Sequence, residues 1–535
     1  MKNKKLLPIL FILSAFTISG CGSSKPSSSP ISSSEEPSAS EPTSSSSEES
    51  KSTSSSSSVK PSTSSSSAQP SSSSSAKPSS SSAQPSNSSS SSSSSSRPES
   101  QYFVKDITVQ LDPGIKKAEE GQTLEPYNLS FTFDDELFLG NPKEYNNDLS
   151  MLSLGASLAT MNKTKGTAFF TEAEFEDIST HDYDGDPTKD TMAYFMAHKT
   201  IGDYELVTVS FRGFDYGLEW ANNFTIGKTG DHEGFAARGA ETYEALKTYL
   251  NTYAKDKSLK VWINGYSRAG ALSNMLASLI LRNNELAITQ DNLFVYTFEA
   301  PASLTDEHAI AYPNVHNIIN DADLITFIPP AQYELYRCGK DYQIYDPNVA
   351  TLMNQFDEGM NFPEFQEFDE IKSDVQFRDS ILDSVFNHEI TDESDKERCA
   401  NTREQYVDNY QAGLSNGIGY IFAMKASTRS QLIEDLKGLG FGAALILGDE
   451  TGEEMAKFLK PYLDKDNVPY SEEGLASDCA VLMRGIIFLF GTILSYFLQD
   501  GAEKSDLTRL LDMHYPETTY VLLQNAHAKA EADPK

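Results

Sequence analysis

Apolar positions in this chain follow two periods, and the clearest change from one to the other falls near its middle. Leu259, Val261 and Ile263 alternate with their neighbours and predict a strand, while Leu272, Met275, Leu276, Leu279 and Ile280 recur at helical spacing. Between them Gly265-Tyr266-Ser267-Arg268-Ala269-Gly270 predicts a sharp strand-to-helix turn with Ser267 at the joint of a variant G-x-S-x-G pattern in which Ala269 stands for the second glycine. Such a turn needs small neighbours, and Gly265, Ala269 and Gly270 supply them. Elsewhere the pattern predicts strands over 103–109, 206–211, 293–298 and 315–319, and helices over 148–161, 171–178 and 237–253. Strands alternating with helices predict βαβ units, a largely parallel sheet and the α/β class.

The ends of the chain read differently. Lys2, Lys4 and Lys5 precede a short apolar run, residues 6–18, too short for a comfortable membrane span. Ile18-Ser19-Gly20-Cys21 closes that run and resembles a bacterial lipoprotein lipobox. The resemblance implies cleavage before Cys21, lipidation of that thiol, and a protein anchored by lipid at the extracytoplasmic face of the cell membrane. Residues 22–99 are serine with scattered Pro, Ala, Lys and Glu, and Ile31 and Val59 are their only large aliphatics. Such a segment buries too little to offset chain entropy and is expected to be a disordered spacer. The formal net charge of −34 argues against nucleic acid as a partner, since phosphate binding needs clustered Lys and Arg. It also argues against electrostatic adhesion to anionic lipid.

A serine hydroxyl is a poor nucleophile near neutral pH without a base, and the base needs an orienting carboxylate. The order Ser, acid, His places the acid after a strand beyond Ser267. Asp323 follows the strand at 315–319 and precedes an apolar run, with Asp321 as the other candidate. His181, His198, His232, His308 and His316 come too early in the chain; His388 lies in an acidic stretch and His527 in a polar, Ala-rich tail expected to fray. His514 precedes Pro516, which can start a helix and leave the imidazole on a loop.

Together these pieces resemble the class 3 lipases. The resemblance rests on Val209-Ser210-Phe211-Arg212-Gly213 with Trp220 beyond; His232-Glu233-Gly234-Phe235; the Ser267 turn; Tyr296-Thr297-Phe298 and Pro301; residues 323–330; and His514 with Tyr520. It implies an α/β-hydrolase fold, carboxylic ester hydrolysis, a Ser267–Asp323–His514 triad, and an oxyanion hole from the backbone N–H groups of Phe214 and Arg268. The chain departs from the family at Tyr266 and Arg268, where the family pattern has His and Leu, and at Phe214, where a Ser or Thr is usual. Glu299 stands where a small residue is usual, and Arg268 and Glu299 are expected to pair beneath the turn, since either charge alone would be costly there.

These readings divide the chain into a signal peptide (1–20), a lipidated cysteine and linker (21–100), a hydrolase core (101–341), a mostly helical insertion (342–505) and a C-terminal return carrying the histidine (506–535). The insertion holds apolar stretches at 438–448 and 479–498; spanning a membrane with the second would separate His514 from Ser267, so it is expected to be a buried helix covering the sheet, or a lid. Asp182-Tyr183-Asp184-Gly185-Asp186 with Asp190 misses the EF-hand spacing, and Cys338, Cys399 and Cys479 fit no zinc spacing, so no metal is expected. The export signal permits a disulfide among those three cysteines without indicating which pair. No cofactor is required by serine chemistry. The expected substrate is a lipid ester of the acylglycerol type; an acetylated or feruloylated polysaccharide, or a non-catalytic binding role, are the alternatives. Nothing in the sequence sets an oligomeric state.

Overall fold

A computed structural model describes residues 102–115, 125–184, 191–213, 217–255, 257–358, 375–376, 378–379, 382–383, 399–438, 450–486 and 512–532. Cys21 and the serine-rich stretch lie outside these residues, as do Phe214, His388, residues 185–190 of the acidic loop and most of the two apolar stretches of the insertion.

The first described element is an antiparallel hairpin, β1 (Val104–Leu111) with β2 (Tyr127–Asp134), in which Ile107, Val109 and Leu111 and then Tyr127, Leu129, Phe131 and Phe133 turn inward. Helices α1 (Asn147–Ala159) and α2 (Lys163–Glu172) follow, each started by an asparagine whose side chain accepts from first-turn N–H groups. A second sheet then runs in sequence order through β3 (Glu176–His181), β4 (Tyr194–Ile201), β5 (Tyr204–Phe211), β6 (Ser258–Tyr266), β7 (Leu293–Phe298), β8 (Val315–Ile319) and β9 (Lys340–Gln343). Pairing is antiparallel from β3 to β5 and parallel from β5 to β9. Strands β5 to β8 are near-continuously buried because both of their faces are covered. Trp262, Phe294, Tyr296, Phe298 and Ile318 face a core shared with α1 and the hairpin. Val207, Val209, Val261, Ile263 and Val295 face a second core under α3 (Glu233–Tyr253) and α4 (Arg268–Asn283).

Several expectations are corrected. Residues 171–178 are not one helix: α2 ends at Glu172, Glu174 and Asp177 take left-handed backbone conformations, and β3 starts at Glu176. β2, β3, β4 and β9 add strands to those expected. β9 straddles the boundary placed at 341, and α5 (Val349–Glu358) contributes Val349 and Met353 to the first core, so the hydrolase core continues past that boundary. The expected fraying tail is instead a helix, α11 (Pro516–Ala532), with Leu522 and Leu523 fully buried. His527 lies on it, 3.2 Å from both the Tyr145 hydroxyl and Ser150 Oγ, and burial lowers its pKa to about 4.

The described helices of the insertion are α6 (Arg403–Tyr406), α7 (Ala412–Ala423), α8 (Ala426–Gly438), α9 (Glu450–Asp466) and α10 (Glu472–Ile486), with a π-helical turn between α6 and α7. Their apolar sides form a third core with Trp220, Phe224 and Ile226 after β5, Ala302 after β7, and Leu324, Tyr333 and Leu335 after β8. These are the loops at the C-terminal ends of the parallel strands. The described helices of the insertion therefore cap that rim. Among the described residues, no helix is long and apolar enough to cross a membrane. Cys338, Cys399 and Cys479 are buried, and no disulfide joins them.

Candidate active site

The strand-to-helix joint has the geometry its residues predict. Ser267, between β6 and α4, has φ 57° and ψ −126°, a conformation costing on the order of 1–3 kcal/mol that persists only where the surroundings over-determine it. They do so here. Ser267 N–H donates to the Phe298 carbonyl at 2.7 Å. A Cβ on Gly265 would meet the Ala269 carbonyl oxygen at 2.4 Å, and one on Gly270 would meet the Ala300 Cβ at 2.8 Å. The turn is closed so tightly that only glycine fits at these two positions.

The three residues selected from chain order lie together. Ser267 Oγ is 2.7 Å from His514 Nε2, and His514 Nδ1 is 2.5 Å from Asp323 Oδ2. Asp323 has no exposed surface, and its other oxygen accepts from the Ile325 N–H at 2.8 Å. Carboxylate, imidazole and hydroxyl thus form one hydrogen-bonded line across 247 residues of sequence between nucleophile and base. Ser267 and His514 are themselves less than a tenth exposed, which puts the line in a low-dielectric setting where charge interactions are strong. Asp321, the other candidate acid, offers its backbone carbonyl to Arg378 and takes no part. Of the early histidines, His181 stacks on Tyr194, His198 is held by Glu205 and Asp177, His308 bonds Asp231, His316 bonds the Pro142 carbonyl, and His232 stacks on Phe235 at the start of α3. None of these reaches the line.

Of the expected oxyanion donors, Arg268 is the first residue of α4, so its N–H has no acceptor within the helix and the positive end of the helix dipole reinforces it. Phe214 lies outside the described residues. Gly213, just before it, is buried, and a Cβ there would meet the Tyr266 carbonyl oxygen at 2.2 Å, so the end of the β5 strand is pressed against the turn that holds the nucleophile.

The expected pairing of Arg268 with Glu299 does not occur. Arg268 Nη1 bonds Glu219 Oε2 at 2.8 Å, and the other oxygen of Glu219 takes Arg212. Arg268 and Glu219 are essentially without exposed surface. Burial raises the Glu219 carboxyl, and the guanidiniums of Arg268 and Arg212 oppose that rise. One buried carboxylate thus joins Arg268, the residue after Ser267, to Arg212 at the end of β5. A buried Arg268 signals that some carboxylate must be near, but which one depends on the path of the loop after β5, which apolar periodicity does not report. Glu299 instead sits in a second buried network with Thr519, Tyr266 and Asn320. Sequence reasoning missed Glu219, Tyr266, Thr519 and Asn320, none of which carries a motif of its own.

The arrangement can activate a hydroxyl for attack on a carbonyl and shuttle its proton. Among the described residues no group of His, Cys, Asp and Glu is arranged to hold a metal ion.

Residues 208–333 match the class 3 lipase family model. A curated lipase of Rhizomucor miehei is 27% identical over 168 residues, which are 28% of this chain and 45% of that protein, so the chain spans less than half the length of this relative. A solved structure of the Rhizomucor miehei triacylglyceride lipase is 20% identical and covers 38% of this chain and 83% of that one, with a TM-score of 0.31. Lipase II from Rhizopus niveus is 16% identical over 29% of this chain and 62% of its own, with a TM-score of 0.23. The Ser267 turn and Asp323, carried at the ends of parallel strands, lie within the segment that is similar to the class 3 lipases.

Proposed function

We propose that the protein is a serine carboxylic ester hydrolase acting on lipid esters of the acylglycerol type. The observation that carries this reading is the unbroken line from Ser267 Oγ through His514 to Asp323, at 2.7 and 2.5 Å. His514 Nε2 takes the Ser267 proton as Oγ attacks the ester carbonyl, and Asp323 holds the imidazole with its other nitrogen protonated. The developing oxyanion is met by the Arg268 N–H and, in this reading, by that of Phe214. Collapse of the tetrahedral intermediate breaks the ester C–O bond, and His514 returns the proton to the leaving alcohol. Water, deprotonated by the same imidazole, then releases the acid and restores Ser267. The match of residues 208–333 to a lipase family supports a lipid substrate. A fluorophosphonate probe is expected to label Ser267, and Ser267→Ala is expected to lose labelling and to lower kcat by on the order of 10⁴–10⁶. Full esterase activity in that variant would refute the assignment, and preference for acetyl over long-chain model esters would move the substrate away from lipid.

The protein acts, in this reading, from a membrane to which Cys21 ties it. The lysines before the apolar run and the small residues before Cys21 support it. Each acyl methylene buried in the bilayer contributes about 0.8 kcal/mol, so two or three chains hold the protein firmly. Cys21→Ser is expected to shift the protein from the membrane to the soluble fraction and to abolish labelling by an alkynyl palmitate analogue. Undiminished labelling of the variant would remove the anchor from Cys21.

A further inference from the structure

Glu299 has no exposed surface and stands directly behind the triad, at the end of β7, in a left-handed backbone conformation (φ 48°) that a glutamate rarely takes. Four oxygens in a row make contacts there. The Tyr266 hydroxyl is 2.8 Å from the His514 carbonyl oxygen, Thr519 Oγ1 is 2.9 Å from the Tyr266 hydroxyl, and Glu299 Oε1 is 2.9 Å from Thr519 Oγ1. The row has a definite proton count. A carbonyl has no proton to give, so Tyr266 donates to His514 and spends its one hydroxyl proton. The Tyr266–Thr519 contact then takes the one hydroxyl proton of Thr519. The Thr519–Glu299 contact is left with a proton only if Glu299 supplies it.

We infer that Glu299 is a neutral carboxylic acid at rest and a positioning residue for the triad, its Oε1–H heading a relay through Thr519 and Tyr266 to the backbone of His514. Its other oxygen accepts the Asn320 N–H at 2.9 Å. Asn320 in turn donates its side-chain amide to the Met513 carbonyl at 2.9 Å and accepts the Asp323 N–H at 3.0 Å. One neutral acid therefore grips both the turn that presents Asp323 and the loop that presents His514. Independently of the proton count, burial and the neighbouring Asp323 carboxylate both hold the Glu299 carboxyl well above the ordinary range. The other titratable groups around it are Tyr266, itself kept neutral by burial, and, through Tyr266, His514 and Glu517.

Ionising Glu299 would turn the Thr519 proton back toward it, cut the Tyr266 contact and set two carboxylates side by side behind the imidazole. The inference rests on the triad reading, but its first test uses no substrate. Infrared difference spectra of wild type against Glu299→Gln at neutral pH are expected to show loss of a protonated-carboxyl C=O band. Glutamine keeps the pattern, with an N–H for Thr519 and an oxygen for Asn320, so Glu299→Gln is expected to retain most of kcat and to lose the alkaline fall in kcat that ionisation of Glu299 causes. Glu299→Ala and Thr519→Val break the relay and are expected to lower kcat roughly ten- to a hundredfold while KM changes little, Thr519→Val with the band still present. Absence of the band, or Glu299→Gln as impaired as Glu299→Ala, overturns the inference. Because the band is read without turnover, an inert Ser267 would end the hydrolase reading and leave this result standing.

Discussion

A charged side chain without exposed surface is stable only with a partner in hydrogen-bonding range, and Glu219 has two, Arg212 and Arg268. Removing one member of such a group leaves the others buried and uncompensated, at a cost of roughly 3–5 kcal/mol. Glu219→Ala is therefore expected to lower the unfolding free energy by about that amount in denaturant titrations. Because the proposed function uses the Arg268 N–H as an oxyanion donor, kcat is expected to fall further than KM rises. A loss of stability with an unchanged kcat would show that the carboxylate serves folding alone. At this scale the choice of three residues was legible because chain order and scarcity of histidines leave few candidates, and Ser267, Asp323 and His514 lie in hydrogen-bonding contact. The partners of Arg268 and Glu299 were not legible. Hydrogen-bond partners within a buried polar network are set by loop paths, and sequence spacing carries no record of those.

Elements are legible to the degree that burial repeats along them. Strands β5 to β8 sit under helices on both faces, so Val, Ile, Leu and Phe run almost unbroken and mark them well. β3, by contrast, is Glu-Asp-Ile-Ser-Thr-His at the margin of the sheet, with every residue at least partly exposed, and no apolar period announces it. The end of α2 was missed for a related reason. Phe169 and Phe170 of the helix and Phe175 beyond it all enter the first core, so the apolar pattern runs through the break made by the left-handed Glu174. The turn at Ser267 was legible because sterics dictate its residue types directly. This permits a sharp expectation for Gly265→Ala. The added methyl would meet the Ala269 carbonyl oxygen at 2.4 Å and Ser273 Oγ at 2.8 Å, both on the first turns of α4. Relief requires the helix to shift, so stability is expected to drop by about 1–3 kcal/mol and probe labelling of Ser267 to be largely lost. Normal labelling kinetics would mean that the turn yields without moving its serine.

For the whole molecule, the difficulty is returning the chain to Ser267 with an imidazole after the insertion. α11 does this, and it is clasped at several points. Glu517 accepts the N–H groups of Gly114 and Ile115 at 2.7 and 2.8 Å, joining positions about 400 residues apart. Tyr520 packs edge-on against Phe131 of the hairpin. Further along, Asp346, in the loop after β9, accepts from Asn525 Nδ2 at 2.7 Å and bonds Lys529. Burial alone would raise the Asp346 carboxyl, but Lys529, the Asn348 N–H and Asn525 outweigh it and bring the pKa from 3.8 to about 2. A carboxyl depressed on folding stabilises the fold above its unfolded pKa, and that stabilisation is lost as pH falls through the folded value. Asp346 thus contributes fully above the unfolded 3.8 and loses its contribution between there and about 2. His527 on the same helix acts in a higher window, because its pKa is lowered from 6.5 to about 4: stability falls as pH drops from 6.5 toward 4, where the unfolded chain takes a proton that the buried imidazole refuses. Unfolding free energies measured in denaturant at steps of pH separate the two. Asp346→Asn is expected to be less stable than wild type near neutrality, to parallel it through the histidine window, and to converge on it only below about pH 4. A gap that stays constant down to the acid end would mean that the aspartate docks the returning helix through its shape and hydrogen bonds, with its charge contributing nothing.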